Sequence, residues 1–287
     1  MRKVILTFDD NKAHYGSVKM RGIQLFDVLK DKLHIEIKPL SKCLNENNSL
    51  IIIVKPSYYE NYLPLLKNNN IVMFDILDSF QTLDPKLKLM KSFHGAIFCS
   101  DYTRERYAKY FAHPELCFTA YHHWDPQFEN FDNQTSKFNL AYIGDPTKVY
   151  LQGRVPDIEY RYIKVPTDFS VDLYKSVNAH FIMKPLAPRH LVEPITKVST
   201  AGATLSPVIT LAGPERELLG SSYPYYAKSN NINDIKNAIS LMKDTYNLTE
   251  WHLAIDIMAH IKDRTSLRQC VDGYIKFVTH ISKSLIK

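Results

Sequence analysis

Short apolar runs return along the first part of the chain at Lys3–Phe8, Ile35–Leu40, Leu50–Val54, Ile71–Ile76, Gly95–Ser100 and Cys117–Tyr121. Several are almost unbroken, Leu50-Ile51-Ile52-Ile53-Val54 most of all, whereas a sheet with one wet face would alternate apolar and polar positions. Unbroken runs predict parallel strands covered on both faces, and parallel strands need crossovers. The intervening segments supply them. Val18, Ile23, Phe26 and Leu29 form an apolar helical stripe, and Tyr102–Phe111 predicts a second, compact helix.

The pattern breaks at Trp124-Asp125-Pro126 and through the polar stretch Glu129–Lys137. Strand-like runs then resume at Phe138–Ile143, Tyr160–Val165, Ala179–Met183 and Pro207–Leu211, and Asn231–Lys243, Trp251–Ile261 and Ser266 to Ile286 read as helices. The expected fold class is α/β, with two Rossmann-like domains in tandem. Residues 1–125 form the first domain, and residues 138–287 form the second together with the terminal helices. Periodicity leaves open whether those helices close the second domain or cross back to the first. No internal repeat or low-complexity tract points to a solenoid or flexible scaffold.

Composition narrows the function classes. At about 100–200 residues per domain, a length of 287 residues favours two domains over one. No run approaches the ~18–20 consecutive apolar residues of a membrane span, and the first strand starts close to Met1, so a cytoplasmic location is expected. Cys43, Cys99, Cys117 and Cys270 are scattered, without zinc-site spacing or the density of a disulfide scaffold. The net charge of +6 arises from dispersed residues, 36 Lys and Arg against 30 Asp and Glu. It attracts nucleic acid, anionic lipid or a phosphorylated substrate only weakly, and no specific nucleic-acid partner is predicted.

The densest chemistry lies in Lys184-Pro185 and in Glu193 through Thr210. This segment reads as a strand end, a loop, a helix and another strand, with Pro194 suited to the first helical turn. Lys197, Thr200, Ala201 and Thr204 then recur at spacings of three or four, so an ammonium and two hydroxyls share a helix face near its positive end. Such a face suits a nucleotide diphosphate; a surface lysine on an ordinary packing helix is the alternative.

Other candidates stand at predicted strand ends. The loop Thr7–Ser17 contains His14 and Gly16, with Arg21 in the following helix, and it matches neither G-x-G-x-x-G nor G-x-x-x-x-G-K-[ST]. A standard dehydrogenase or kinase is thereby disfavoured. Asp75 and Asp78 stand at one strand end; Asp78 can orient a sugar hydroxyl or cap the next segment, and Asp75 reads as structural. In Tyr121-His122-His123-Trp124, either imidazole can donate to a phosphate or sugar oxygen, with a packed corner as the alternative, and adjacent histidines make a poor zinc set. Glu215 can accept from sugar hydroxyls or cap a helix, Tyr223-Pro224-Tyr225-Tyr226 can line a pocket or pack, and Gly144-Asp145-Pro146 adds a loop after its strand.

Lys184-Pro185, Lys197, Thr200-Ala201 and Ser206-Pro207-Val208-Ile209, followed by Glu215, resemble the second domain of metal-independent glycosyltransferases of the GT-B fold. That resemblance implies two domains facing a central cleft and a nucleotide-sugar donor as substrate, with no separate cofactor and no metal. It places Lys184, Lys197, Thr200, Ala201 and Glu215 on the donor side, where the loop carrying Gly144 also stands as a candidate. On the acceptor side it places the Arg21 region, to which the residues themselves add Gly16, His14 and His123, and Lys197, His122 and Asp78 stand as candidates for assisting the chemistry. The acceptor would be a hydroxyl, on a surface or lipid-linked glycan for instance, which would fit peripheral association with the inner face of a membrane. Many retaining members carry two Glu residues with seven residues between them. Counting forward from Glu193 reaches Ala201, and Thr200 stands seven positions before Pro207, so the second Glu is missing. A silent nucleotide- or carbohydrate-binding protein and a nucleotide-sugar isomerase or hydrolase remain the alternatives.

Overall fold

The computed structural model describes residues 2–57, 59–77, 86–133, 135–145, 155, 157–163, 169–183 and 195–284. The chain divides into two compact units, Met1–His122 with Leu267–Lys287, and His123–Leu191 with Ile195–Ser266.

The first unit is built on a parallel sheet. Strand β1 (Val4–Phe8) leads into a helical stretch in which α1 (Gly16–Val18) passes through a π-helical turn, Lys19–Gln24, to α2 (Leu25–Leu29). Strands β2 (Ile35–Pro39), β3 (Leu50–Val54) and β4 (Ile71–Ile76) follow, then α3 (Lys86–Met90), β5 (Gly95–Phe98), α4 (Asp101–Tyr107) and β6 (Phe118–Thr119). The strand order is β2-β1-β3-β4-β5-β6 and every pairing is parallel. All five residues of β3 and all six of β4 are buried, as unbroken apolar strands require. Helix α4 starts where Ser100 accepts from the Thr103 amide, a side-chain cap for an otherwise orphaned donor.

The second unit repeats the plan. It contains β7 (Leu140–Gly144), β8 (Glu159–Tyr162), β9 (Ala179–Phe181), α5 (Thr196–Ala203), β10 (Val208–Leu211), α6 (Arg216–Leu219), β11 (Tyr226–Ala227), α7 (Ile232–Asp244) and α8 (Thr249–Arg264). Its order is β11-β10-β9-β7-β8, again parallel. Helix α5 lies close on α8: a methyl at Gly202 would meet Ile261 Cγ2 at 2.8 Å and the Lys262 amide nitrogen at 3.1 Å. Trp124 is buried within this unit, where its indole donates to the Lys262 carbonyl at 2.8 Å.

The last helix corrects the expected domain boundary of 138–287. Helix α9 (Leu267–Ser284) belongs to the first unit, where Cys270, Val271, Tyr274, Phe277, Val278 and Ile281 complete the core formed by Val4, Leu6, Leu25 and Leu29. An amphipathic stripe specifies that a helix must be covered but not which core covers it. Among the described residues no helix is long and apolar enough to cross a membrane.

Candidate functional site

In an open parallel sheet, ligands bind beyond the carboxyl ends of the strands, at the point where successive connections run in opposite directions. The second sheet reverses between β7 and β9. Strand β7 ends at Gly144, whose φ of 153° lies outside the range favoured by residues with a side chain. Over that end lies Lys197, in the first turn of α5. Its Nζ is 3.9 Å from the centroid of the Tyr142 ring, and a Cβ on Gly144 would be only 2.8 Å from it. Tyr142 is buried and its hydroxyl donates to the Asp145 carbonyl at 2.9 Å. Burial, with a smaller contribution from Asp145, pushes this phenol up to about 12, so it stays a neutral donor.

Helix α5 starts at Thr196. Its N-cap is Ile195, which makes no side-chain hydrogen bond to the helix, and its first turn contains no acid. A cation in place of an anion opposes the helix dipole, which favours negative charge near the amino terminus. An anion there would meet both the first amides of the helix and the ammonium. Beneath it, burial together with the positive charges of Lys197 and Arg161 pulls the His180 imidazole down to about 3.

The other expected donor-side residues divide. The Thr200 hydroxyl donates back to the Thr196 carbonyl at 3.1 Å, and that of Thr204 bonds within the helix end, to the Ala201 carbonyl at 3.1 Å. Ala201 is fully buried and so offers no surface, a correction to its expected role: it stands on the packed side of the helix beside Val198 and Gly202. Glu215 is a buried carboxylate in the turn after β10. It makes no capping hydrogen bond to α6, and its Oε2 would be 3.0 Å from a Cβ on Gly213. The nearby tyrosines pack. The Tyr223 hydroxyl accepts from the Val208 amide at 2.6 Å and donates to the Val208 carbonyl at 2.7 Å. Lys184, Pro185, Pro194 and Asp78 lie outside the described residues.

The first unit corrects the reading of Arg21. This side chain is fully buried and bonded to Asp75 through Nε at 3.0 Å and Nη2 at 2.9 Å; Nη1 donates to the Ala120 and Tyr121 carbonyls at 3.2 Å. Burial opposes the charge, but the Asp75 carboxylate keeps the guanidinium firmly protonated. Arg21 therefore holds the unit together and does not face a ligand. Asp75 has the structural role read from its position. His122 and His123 are both buried and neither faces solvent. His14 and Gly16 are exposed, the former edge-on to Tyr15 at 4.6 Å.

The first sheet reverses between β1 and β3, and a polar cluster stands there that the sequence reading missed. Asp9 accepts from Ser57 Oγ at 2.6 Å, Tyr62 OH at 2.7 Å and Lys12 Nζ at 2.9 Å, and Lys12 also donates to the Lys55 carbonyl at 3.1 Å. Burial pushes the Asp9 carboxyl up, yet these hydrogen bonds outweigh it and hold the group below its ordinary range. Such a carboxylate is an anchor and a poor proton acceptor. Both partners of Asp9 from the β3 side, Ser57 and Tyr62, are distant in sequence, so no local motif announced them. Among the described residues no group of three or more His, Cys, Asp or Glu could hold a metal ion.

No protein-family profile matches the sequence, and no curated protein matches it. Solved structures do. The chain is similar to Anabaena HepE, crystallised with UDP and glucose, with a TM-score of 0.65 and 10% identity over 98% of this chain and 100% of that one. It is similar to a glycosyltransferase from Rickettsia africae, with a TM-score of 0.69 and 9% identity over 99% of each chain. A trehalose 6-phosphate synthase from Burkholderia multivorans gives 0.66 and 9% over 99% of this chain and 100% of that one. At these identities the likeness is one of fold, and the fold is GT-B.

Proposed function

We propose that this GT-B-fold chain is a glycosyltransferase that takes a sugar from a nucleotide-sugar donor and transfers it to a hydroxyl acceptor. The observation that carries the reading is Lys197, a cation in the first turn of a helix with no acid there, lying over a glycine-ended strand at the reversal point of the second sheet. Breaking the bond between sugar and nucleotide diphosphate leaves negative charge on the departing phosphate. The Lys197 ammonium and the first amides of α5 meet that charge as it grows, which lowers the barrier by electrostatic stabilisation and not by proton transfer. Glu215, buried at the end of β10, takes the sugar hydroxyls of the donor. The first unit holds the acceptor, beyond the β1 and β3 ends braced by Asp9, with Gly16 and His14 on its exposed loop.

The HepE structure with UDP and glucose supports uridine diphosphate sugars as the first donors to test. Calorimetric titration with a panel of nucleotides, followed by turnover assays with hydroxyl acceptors, separates a transferase from a silent binding protein. Turnover without acceptor would identify an isomerase or hydrolase. Lys197→Ala is expected to cut transfer by about a hundredfold, the loss typical of removing one charge-stabilising donor. A folded variant with unchanged donor affinity and turnover defeats the assignment.

A further inference from the structure

We infer that Tyr142 and Gly144 are positioning residues that hold the Lys197 ammonium at the end of β7, ready for a diphosphate. The inference rests on the donor reading above and adds to it how the lysine is fixed. A lysine in a first helical turn has a long, flexible stem, and ordering it on a ligand costs side-chain freedom. Here the ammonium is already placed. Its 3.9 Å separation from the Tyr142 centroid is well inside the ~6 Å range of a cation–π contact.

The ring is a fixed shelf. Tyr142 is buried, its hydroxyl is tied to the Asp145 carbonyl, and Tyr160 lies beside it with ring centroids 6.2 Å apart. Gly144 clears the path: a side chain there would strike Nζ and would also have to adopt a φ of 153°. The chemistry of the support matters as well. A carboxylate in place of the ring would hold the lysine by cancelling its charge and would repel an incoming phosphate. A neutral aromatic face attracts the ammonium without neutralising it.

The test reads the geometry and the binding separately. Reductive methylation with carbon-13-labelled formaldehyde keeps the lysine charge and gives an NMR signal for each lysine, and Lys197→Ala identifies the one from Lys197. In the native protein that signal is expected to be displaced upfield by the ring. Tyr142→Phe keeps the displacement and Tyr142→Leu loses it. In calorimetry with inorganic pyrophosphate and with UDP, Tyr142→Leu and Gly144→Ala are expected to bind about fivefold to tenfold more weakly, and Tyr142→Phe to restore most of the affinity. A change in thermal midpoint alone, with shift and affinity intact, is what a merely structural tyrosine would give and overturns the proposal. So does an undisplaced Lys197 signal in the native protein, an outcome that needs no Tyr142 or Gly144 variant to fold. If Lys197→Ala itself binds pyrophosphate and UDP unchanged, the donor reading fails and this role with it, whereas a displaced signal with weakened Lys197→Ala but unaffected Tyr142→Leu refutes the positioning role alone.

Discussion

The guanidinium of Arg21 lies alongside the carboxylate of Asp75, joined by two hydrogen bonds of 2.9 and 3.0 Å, and both side chains are fully buried. The Tyr274 hydroxyl from α9 donates to the same carboxylate, and Cys270 Sγ accepts from Arg21 Nη1 at 3.1 Å. A π-helical turn, a central strand and the last helix of the chain thus meet on one ion pair.

Removing one partner of such a pair leaves the other charged and buried. Arg21→Ala is expected to destabilise the protein by about 3–5 kcal/mol, while Arg21→Met with Asp75→Leu costs much less because neither charge remains. Urea unfolding of the single and double variants checks this; equal losses in both would show that packing and not charge dominates.

Phe277 is 2% exposed in the first unit's core and lies 5.5 Å, centroid to centroid, from Phe118. Phe277→Ala is expected to cost about 3–5 kcal/mol. Amide exchange locates the effect: protection should fall in β1 and α2, which share that core, although they are more than two hundred residues away along the chain.

Gly202 faces α8 at a distance that admits no methyl group, and one of the obstructing atoms is backbone. Gly202→Ala is expected to lose about 1–3 kcal/mol despite the better helix propensity of alanine. Thermal unfolding of the variant measures it, and a gain in stability would show that the two helices can separate freely.

His180 is buried against the Tyr174 ring at 5.6 Å, with its Nε2 3.4 Å from Thr204 Oγ1. Its folded pKa, about 3, lies below the ordinary 6.5, so between those values the unfolded chain binds a proton that the folded one refuses. Stability from this group is therefore complete above pH 6.5 and declines as pH falls, by about 1 kcal/mol at pH 5.5. Denaturant midpoints at pH 7.5 and 5.5 should show that decline in the native protein and a flatter response in His180→Gln. His94, which burial and His113 hold low, acts in the same direction and remains in both proteins.

Much of the architecture was legible because strand burial is written locally. The run Leu50–Val54 is apolar at every position, and the strand is buried at every position. Lys197 was legible for the same reason: a strand, a loop and a helix carrying a lysine near its start form one continuous segment. Tyr142 was not, because inside a strand its ring looks like core, and only the folded chain brings the lysine over it. The strand-ending Gly144 was the signal that something approaches there.

Arg21 shows the opposite failure. A basic residue after a polar loop has the same sequence signature whether it meets a ligand or a buried aspartate 54 positions away, and only the register of β4 against the π-helical turn decides. The sequence by itself determined two parallel α/β sheets, the helices between them and a cation at one helix start, because hydrophobic periodicity and helix polarity act over a few residues. The tertiary structure alone decided that α9 completes the first unit's core, that Asp9 is held by Ser57 and Tyr62, and that Lys197 rests on Tyr142. Each of these depends on side chains that meet only after the chain has closed, where burial raises the cost of an unmatched charge and distance along the sequence no longer matters.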